Sequence, residues 1–250
     1  MIQITFKDIY TLGNIVDENN QYIHVHYDKM LSRYDSNFIE FKELPSVVDF
    51  KEAEEFLKDY HVKRDQNHVK FYFPENTKPT EELYAYLNET GYEIGFLELY
   101  AIQPKHFPLM KNCPEIDIQA VTEENLETFL NLQYHNDLEF GVEFAKQKVG
   151  LIKRQFEDPT IRQVLAYYKD SPAGYVELIV SDETVEIDNL SVEELFRNKG
   201  IGSRLQSFAM ELFPNRTVIL VADGEDTPRE MYRKQNYAYQ GFKYEVIKID

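Results

Sequence analysis

The chain has 250 residues, 43% of them hydrophobic, a formal net charge of -17, one cysteine and six histidines. That is enough apolar material for one large domain or two small ones with their own cores, while a lone Cys113 excludes a disulfide framework and a cysteine-based metal centre. The acidity is shared almost evenly between the halves, which leaves no basic face for nucleic acid or anionic lipid and favours an amine-bearing partner.

No run approaches the roughly 18 to 20 apolar residues of a membrane span, and the amino terminus carries no basic segment followed by a long apolar one. A soluble, reduced, cytoplasmic protein is the expectation. Taken in order, apolar alternation or short apolar runs predict strands from Tyr22 to Tyr27, Phe38 to Phe41, His68 to Phe73 and Tyr92 to Ile102. Phe50, Ala53, Phe56 and Leu57 recur at helical spacing between them, as do Leu83, Tyr84 and Leu87. The proline-rich stretch from Gln103 to Pro114 lacks a period and is read as a boundary, giving domains 1–108 and 109–250.

Beyond it, Ile116 to Val121 reads as a strand and Thr122 to Gln133 as a capped helix. Phe140 to Glu157 is a second helix with Phe144, Val149, Ile152 and Phe156 as its expected inner side. Strands are expected at Arg162 to Tyr168 and Gly174 to Val180, joined by a turn at Asp170-Ser171-Pro172, and at Val185 to Val192. A helix from Ser203 to Phe213, a strand from Thr217 to Val221, a helix beginning at Pro228 and a strand from Phe242 to Ile249 complete an α/β fold, a mixed and mostly antiparallel sheet flanked by helices.

The halves also share a pattern. Val69 to Phe73, Thr80-Glu81-Glu82-Leu83-Tyr84 and Gly91-Tyr92 parallel Val218 to Val221, Thr227-Pro228-Arg229-Glu230-Met231-Tyr232 and Asn236-Tyr237. Only the second half has a glycine loop, Arg197-Asn198-Lys199-Gly200-Ile201-Gly202, between a strand-like and a helix-like run. Such a turn presents several backbone N–H groups to one phosphate at the positive end of the next helix. It lacks the third glycine of a dinucleotide fingerprint and the Gly-Lys-Ser/Thr ending of a Walker loop.

The segment from Val192 to Leu205 resembles the acetyl-coenzyme A motif of the GCN5-related N-acetyltransferases (GNAT), whose core is Arg or Gln, two residues, Gly, one residue, then Gly or Ala. Tyr232 followed by Asn236-Tyr237 is a looser match to a second family element, with Asn able to take the left-handed position usually given to Gly. The resemblance covers roughly Ile116 to Ile249, and the first half would be a degenerate GNAT-like domain. It implies the acyl-coenzyme A N-acyltransferase fold and transfer of an acetyl group from acetyl-coenzyme A, as co-substrate, to a primary amine, by direct attack.

By that resemblance, amides of Arg197, Asn198, Lys199, Gly200, Ile201, Gly202 and Ser203 hold the diphosphate, and backbone groups of Leu190 and Val192 pair with the pantetheine arm between two splayed strands. Tyr232 protonates the leaving thiolate, and Glu186 or Asp188, two apart on one strand face, takes the amine proton. Asp223 or Thr227 stands where the family often has an Asn contacting pantetheine. Lys199, Arg204 and Arg229 are the expected counter-charges, and Tyr134, Phe140, Phe144 and Tyr175 the acceptor lining. His135 and the His24-x-His26 pair are read as packing or surface groups, since sequence places no third ligand, so no metal is expected. The competing reading is a non-catalytic acyl-coenzyme A sensor or protein-interaction module. Self-association into a homodimer is left open.

Overall fold

The structure is a computed structural model and describes residues 3–111, 113–225 and 229–249. Eleven strands and six α-helices alternate: β1 (Asn14–Glu18), β2 (Tyr22–His26), β3 (Phe38–Phe41), α1 (Val47–Val62), β4 (His68–Tyr72), α2 (Glu81–Glu89), β5 (Glu93–Ile102), β6 (Ile116–Ala120), α3 (Leu126–Asp137), α4 (Val142–Phe156), β7 (Ile161–Tyr168), β8 (Ser171–Val180), β9 (Thr184–Val192), α5 (Ile201–Leu212), β10 (Thr217–Asp223), α6 (Arg229–Lys234) and β11 (Ala238–Ile249). Among the described residues no helix is long and apolar enough to cross a membrane. The chain packs as two compact units, one of Met1–Leu99, Ala222–Arg229 and Tyr239–Asp250, the other of Tyr100–Val221 and Glu230–Ala238. The closing strand β11, on the carboxyl-terminal side of the 108/109 cut, therefore packs largely with the first unit.

In the first unit the strand order is β1-β2-β3-β4-β11-β5. All pairs with a defined register are antiparallel except β3 with β4, which α1 connects as a parallel crossover. Phe50, Ala53 and Leu57 of α1 and Leu83 and Leu87 of α2 bury their apolar stripe on Phe41, Phe71 and Phe73. Ser46 and Asp49 close a reciprocal capping box at the start of α1, and Thr80 caps α2 through the Leu83 amide. Exposed β1 has no apolar alternation, so sequence pattern passed over it.

The second unit has the order β10-β9-β8-β7-β6, antiparallel except for β9 with β10, which α5 connects. The strand-helix-strand-helix-strand course β3-α1-β4-α2-β5 thus recurs as β9-α5-β10-α6-β11, the repeat the sequence pattern pointed to. Tyr175 faces α3 and α4, packing with Phe129, Leu130 and Ile152. Its neighbour Gly174 faces the opposite way, toward Ile201 of α5. Helices therefore cover both faces of this sheet.

Two local expectations are corrected. The β7–β8 hairpin turns at Lys169 and Asp170, both at positive φ (49° and 65°), because a two-residue turn needs left-handed backbone that proline cannot adopt; Ser171 and Pro172 already belong to β8. Of the inner side expected for α4, Ile152 is buried and Val149 packs against the same core, while the other fully buried positions are Ala145, Lys148, Leu151 and Gln155 rather than Phe144 and Phe156. Gln163 of the sheet, itself buried, bonds the Ile152 carbonyl of this helix.

Two glycines give opposite stability predictions. A Cβ at Gly174 would meet the Ser191 carbonyl oxygen at 2.6 Å, so Gly174→Ala should lower stability by about 1–3 kcal/mol. In mid-α4, a Cβ at Gly150 has only Arg154 Nη1 near, at 3.6 Å, so Gly150→Ala should raise stability by about 0.5–1 kcal/mol. Denaturant midpoints of the two variants check the signs.

Candidate active site

The site begins with a pairing that stops early. Parallel β9 and β10 pair through Thr217↔Thr184, Val218↔Val185 and Ile219↔Glu186, and the register ends there although both strands continue. Further along β9, one residue of β8, Val176, faces two of β9, Asn189 and Leu190, between the pairs Tyr175↔Ser191 and Glu177↔Asp188. This is a β-bulge, with Asn189 in left-handed backbone at φ 50°. Beyond the last β9–β10 pair lies a cleft of about 280 Å³, lined by Glu186 to Leu190 on one strand, Leu220 and Val221 on the other, and Gln206, Met231 and Tyr232.

The register orders the acids around this cleft. Glu186 pairs with Ile179 and Asp188 with Glu177, placing all three carboxylates on the α3/α4 face with Tyr175. Glu177 is 1% exposed and accepts from Gln163 Nε2 at 3.1 Å; Gln163 also reaches the Ile152 carbonyl of α4. Strict strand alternation would put Asn189 on the opposite face from the acids, but the bulge turns it to the same side, where its Nδ2 donates to Gln133 Oε1 at 2.9 Å. Asn136 of α3 bonds both Tyr175 and Ser191 hydroxyls. Sequence reading missed Glu177; its signal was one acid within the otherwise apolar run Ala173 to Val180.

Tyr232 comes from the α5 side. Its ring stands 5.1 Å from that of Tyr100 and 5.6 Å from that of Tyr237. Gln235 Nε2 bonds Ser203 Oγ, and the Tyr237 hydroxyl bonds Gln206 Oε1, so α6 and the residues after it are tied to α5. Burial, then neighbouring Tyr232, pushes Tyr237 far above the ordinary tyrosine range, which leaves it a donor rather than an acid. Asn236 ends α6 at φ 68°, the left-handed position read for it from sequence.

Ahead of α5 the chain makes a short 3-10 turn at Glu194–Phe196, then passes through Asn198 at φ 63° and Gly200 at φ 83°. Gly200 is the N-cap of α5 and offers no side chain to the helix amides. The Arg204 amide takes the Gly200 carbonyl, while among the described residues no protein oxygen accepts the amides of Asn198, Lys199, Gly200, Ile201, Gly202 or Ser203. Six successive donors are left at the positive end of a twelve-residue helix. Gly202 lies over Leu190 and Val192, its would-be Cβ 3.6 and 3.7 Å from their side chains, so the amide row begins beside the β9 edge.

The expected counter-charges are arranged differently. Arg229 is bound to Glu98 in the first unit, its Nε 2.6 Å from Oε2. Arg204 lines a separate cavity of about 540 Å³ with Phe107, Leu109, Ile118 and Phe208, and Lys199 sits 5.1 Å above the Tyr168 ring. Arg197 Nε bonds the Val192 carbonyl at 3.4 Å, which fixes the loop and occupies that acceptor. Asp223 closes its own turn on the Glu225 amide, and Thr227 lies outside the described residues. Nor do the four expected acceptor aromatics line the cleft. Tyr175 is core, its hydroxyl pushed up to about 12 by burial, while Phe140 pairs with Phe144 and is 64% exposed.

Comparison with known proteins places this geometry. Residues 118–237 match the family model described as Acetyltransferase (GNAT) family, and residues 4–100 match that of a domain of unknown function (DUF5613). Residues 118–237 belong to the GNAT family. A crystal structure of a functionally unknown conserved protein from Staphylococcus epidermidis is 35% identical, with a TM-score of 0.92 over 99% of this chain and 98% of that one. GNAT proteins from Kribbella flavida (14% identity, TM-score 0.63, 94% and 89% covered) and Sphaerobacter thermophilus (12%, 0.64, 94% and 82%) share the fold. A search of curated proteins finds no match. The GNAT match ends at residue 237, just beyond α6 and Tyr232.

Ser203→Asp separates helix stability from anion binding. A carboxylate in the first turn of α5 should stabilise the helix by about 0.3–1 kcal/mol while lowering affinity for a diphosphate-bearing coenzyme at least about tenfold through like-charge repulsion. Thermal unfolding and titration calorimetry read the two effects.

Proposed function

We propose that the GNAT domain transfers an acetyl group from acetyl-coenzyme A to a primary amine of a small molecule, by direct attack within a ternary complex. The observation that carries this reading is the row of six amides from Asn198 to Ser203 with no protein acceptor among the described residues, whose Gly202 lies against Leu190, a residue of the cleft found where β9–β10 pairing ends. A diphosphate supplies oxygens for such a row, and an extended amide-bearing arm supplies partners for an unpaired strand edge. The arm would bond the Leu190 backbone; at Val192 the carbonyl is already held by Arg197, which leaves that residue a smaller share.

The chemistry then divides across the sheet. On the α3/α4 side an ammonium, with a free pKa of roughly 10, gives its proton to Glu186 or Asp188, with Glu177 as a third acid nearby. The amine nitrogen bonds the thioester carbonyl carbon, the C–S bond breaks, the thiolate takes a proton from the Tyr232 hydroxyl on the α5 side, and the second proton that nitrogen loses as the amide forms returns through solvent to the Tyr232 phenolate. Acids on one face and a phenol on the other keep proton acceptor and proton donor apart. A cleft of about 280 Å³ suits a small amine better than a peptide, and the acidic chain attracts a cationic one.

The test is release of free coenzyme A in the presence of a panel of small amines. Tyr232→Phe should lower kcat about a hundredfold with KM for acetyl-coenzyme A within about twofold. Unchanged turnover would remove Tyr232 from proton transfer. Tight coenzyme binding with no amine acetylated would favour the sensor reading.

A further inference from the structure

The first unit holds a polar cluster that acyl transfer does not use. His24 and His26, two apart on β2, point to the same side, and α1 brings His61 against them. The three rings stand at the corners of an equilateral triangle, each centroid 6.3 Å from the other two. They are 0%, 6% and 1% exposed. Each offers a ring nitrogen such that the three lie within 4.8 Å of one another.

Buried polar atoms are ordinarily hydrogen-bonded, and these are not. Both nitrogens of His24, Nδ1 of His26 and Nε2 of His61 have no partner among the described residues. His61 Nδ1 lies 2.6 Å from the His68 carbonyl oxygen, so it donates there and leaves the Nε2 lone pair free. An imidazole oriented by a backbone carbonyl on its far nitrogen is the usual support of a metal-binding histidine. Burial lowers all three histidines, His24 to about 3 and His61 to about 4, so neutral imidazole is the form present at neutral pH.

We propose that His24, His26 and His61 form a site for one divalent transition-metal ion of the zinc class, tying β2 to α1 in the first unit. Zinc–nitrogen bonds of about 2.0–2.1 Å in tetrahedral geometry set the nitrogens roughly 3.4 Å apart, reached by small rotations of the three rings inward. Three protein ligands leave a fourth position for water or another donor. The cluster sits under aromatic cover, with the Tyr60 ring 4.5 Å from His24 and 5.1 Å from His26. The nearby Arg64 cation, unfavourable to an ion, is held 3.5 Å over the Tyr60 ring and bonds the Tyr60 carbonyl.

The full chain, stripped with chelator, is titrated with cobalt(II) and then zinc(II). One equivalent of cobalt should give the visible bands of a low-coordinate nitrogen site, zinc should abolish them, and zinc should raise Tm. His61→Asn, whose amide can still donate to the His68 carbonyl, and His26→Ala should each weaken binding at least about tenfold. His106→Ala and Cys113→Ser should leave it unchanged. Absence of both the bands and the Tm shift in the unsubstituted chain overturns the proposal. So does unchanged affinity in a folded His61→Asn protein.

Discussion

Three residue pairs hold β9 to β10, and nearly everything specific to the second unit follows from there being no fourth. Backbone groups that leave a sheet must find partners elsewhere. Here the strand edge past Glu186 opens onto a cleft, and Gly202, in the row of amides at the start of α5, lies against Leu190 of that edge. The bulge at Asn189 belongs to the same device: an extra residue sets Leu190 and Val192 toward α5 and Asp188 and Ser191 toward α3 and α4. A strand edge and a positive helix end, brought close where Gly202 meets Leu190, are what the proposed ligand with its extended amide arm and diphosphate would need.

The first unit shows what the same topology does without that gap in satisfaction. Its crossover from β3 to β4 also passes through a helix, but Ser46 and Asp49 reciprocally satisfy amides at the start of α1. The Asp49 carboxylate itself sits at the positive end of that helix, where it repels an anion. The unsatisfied groups of that unit lie at the other end of α1, where His61 meets the histidines of β2. Two copies of one chain course thus differ in where they leave polar atoms without partners, and the proposed ligands differ accordingly.

Much of this was legible in the sequence because it is written in local backbone chemistry. Gly200 and Gly202 marked the helix entry, Asn236 took the left-handed backbone where Gly is usual, and strand alternation located nearly every buried strand. The failures were tertiary. Lys148 and Gln155 are buried on the side of α4 that packs on the sheet, where Gln163 bonds the Ile152 carbonyl and buried Glu177, polar burial that no helical period reveals. Arg229 looked available for the coenzyme, yet Glu98, far away in sequence, binds it. The third histidine of the buried triangle lies 35 positions from the second, so only folding of α1 onto β2 brings it there.

Amide resonances of Asn198 to Ser203, followed while coenzyme A is added to the isotope-labelled chain, test the central claim most directly. The account predicts large, saturable shifts in that row, with the bonded amides of Asp49 and Phe50 at the start of α1 unmoved. A folded protein whose row stays still at saturating coenzyme A would contradict it.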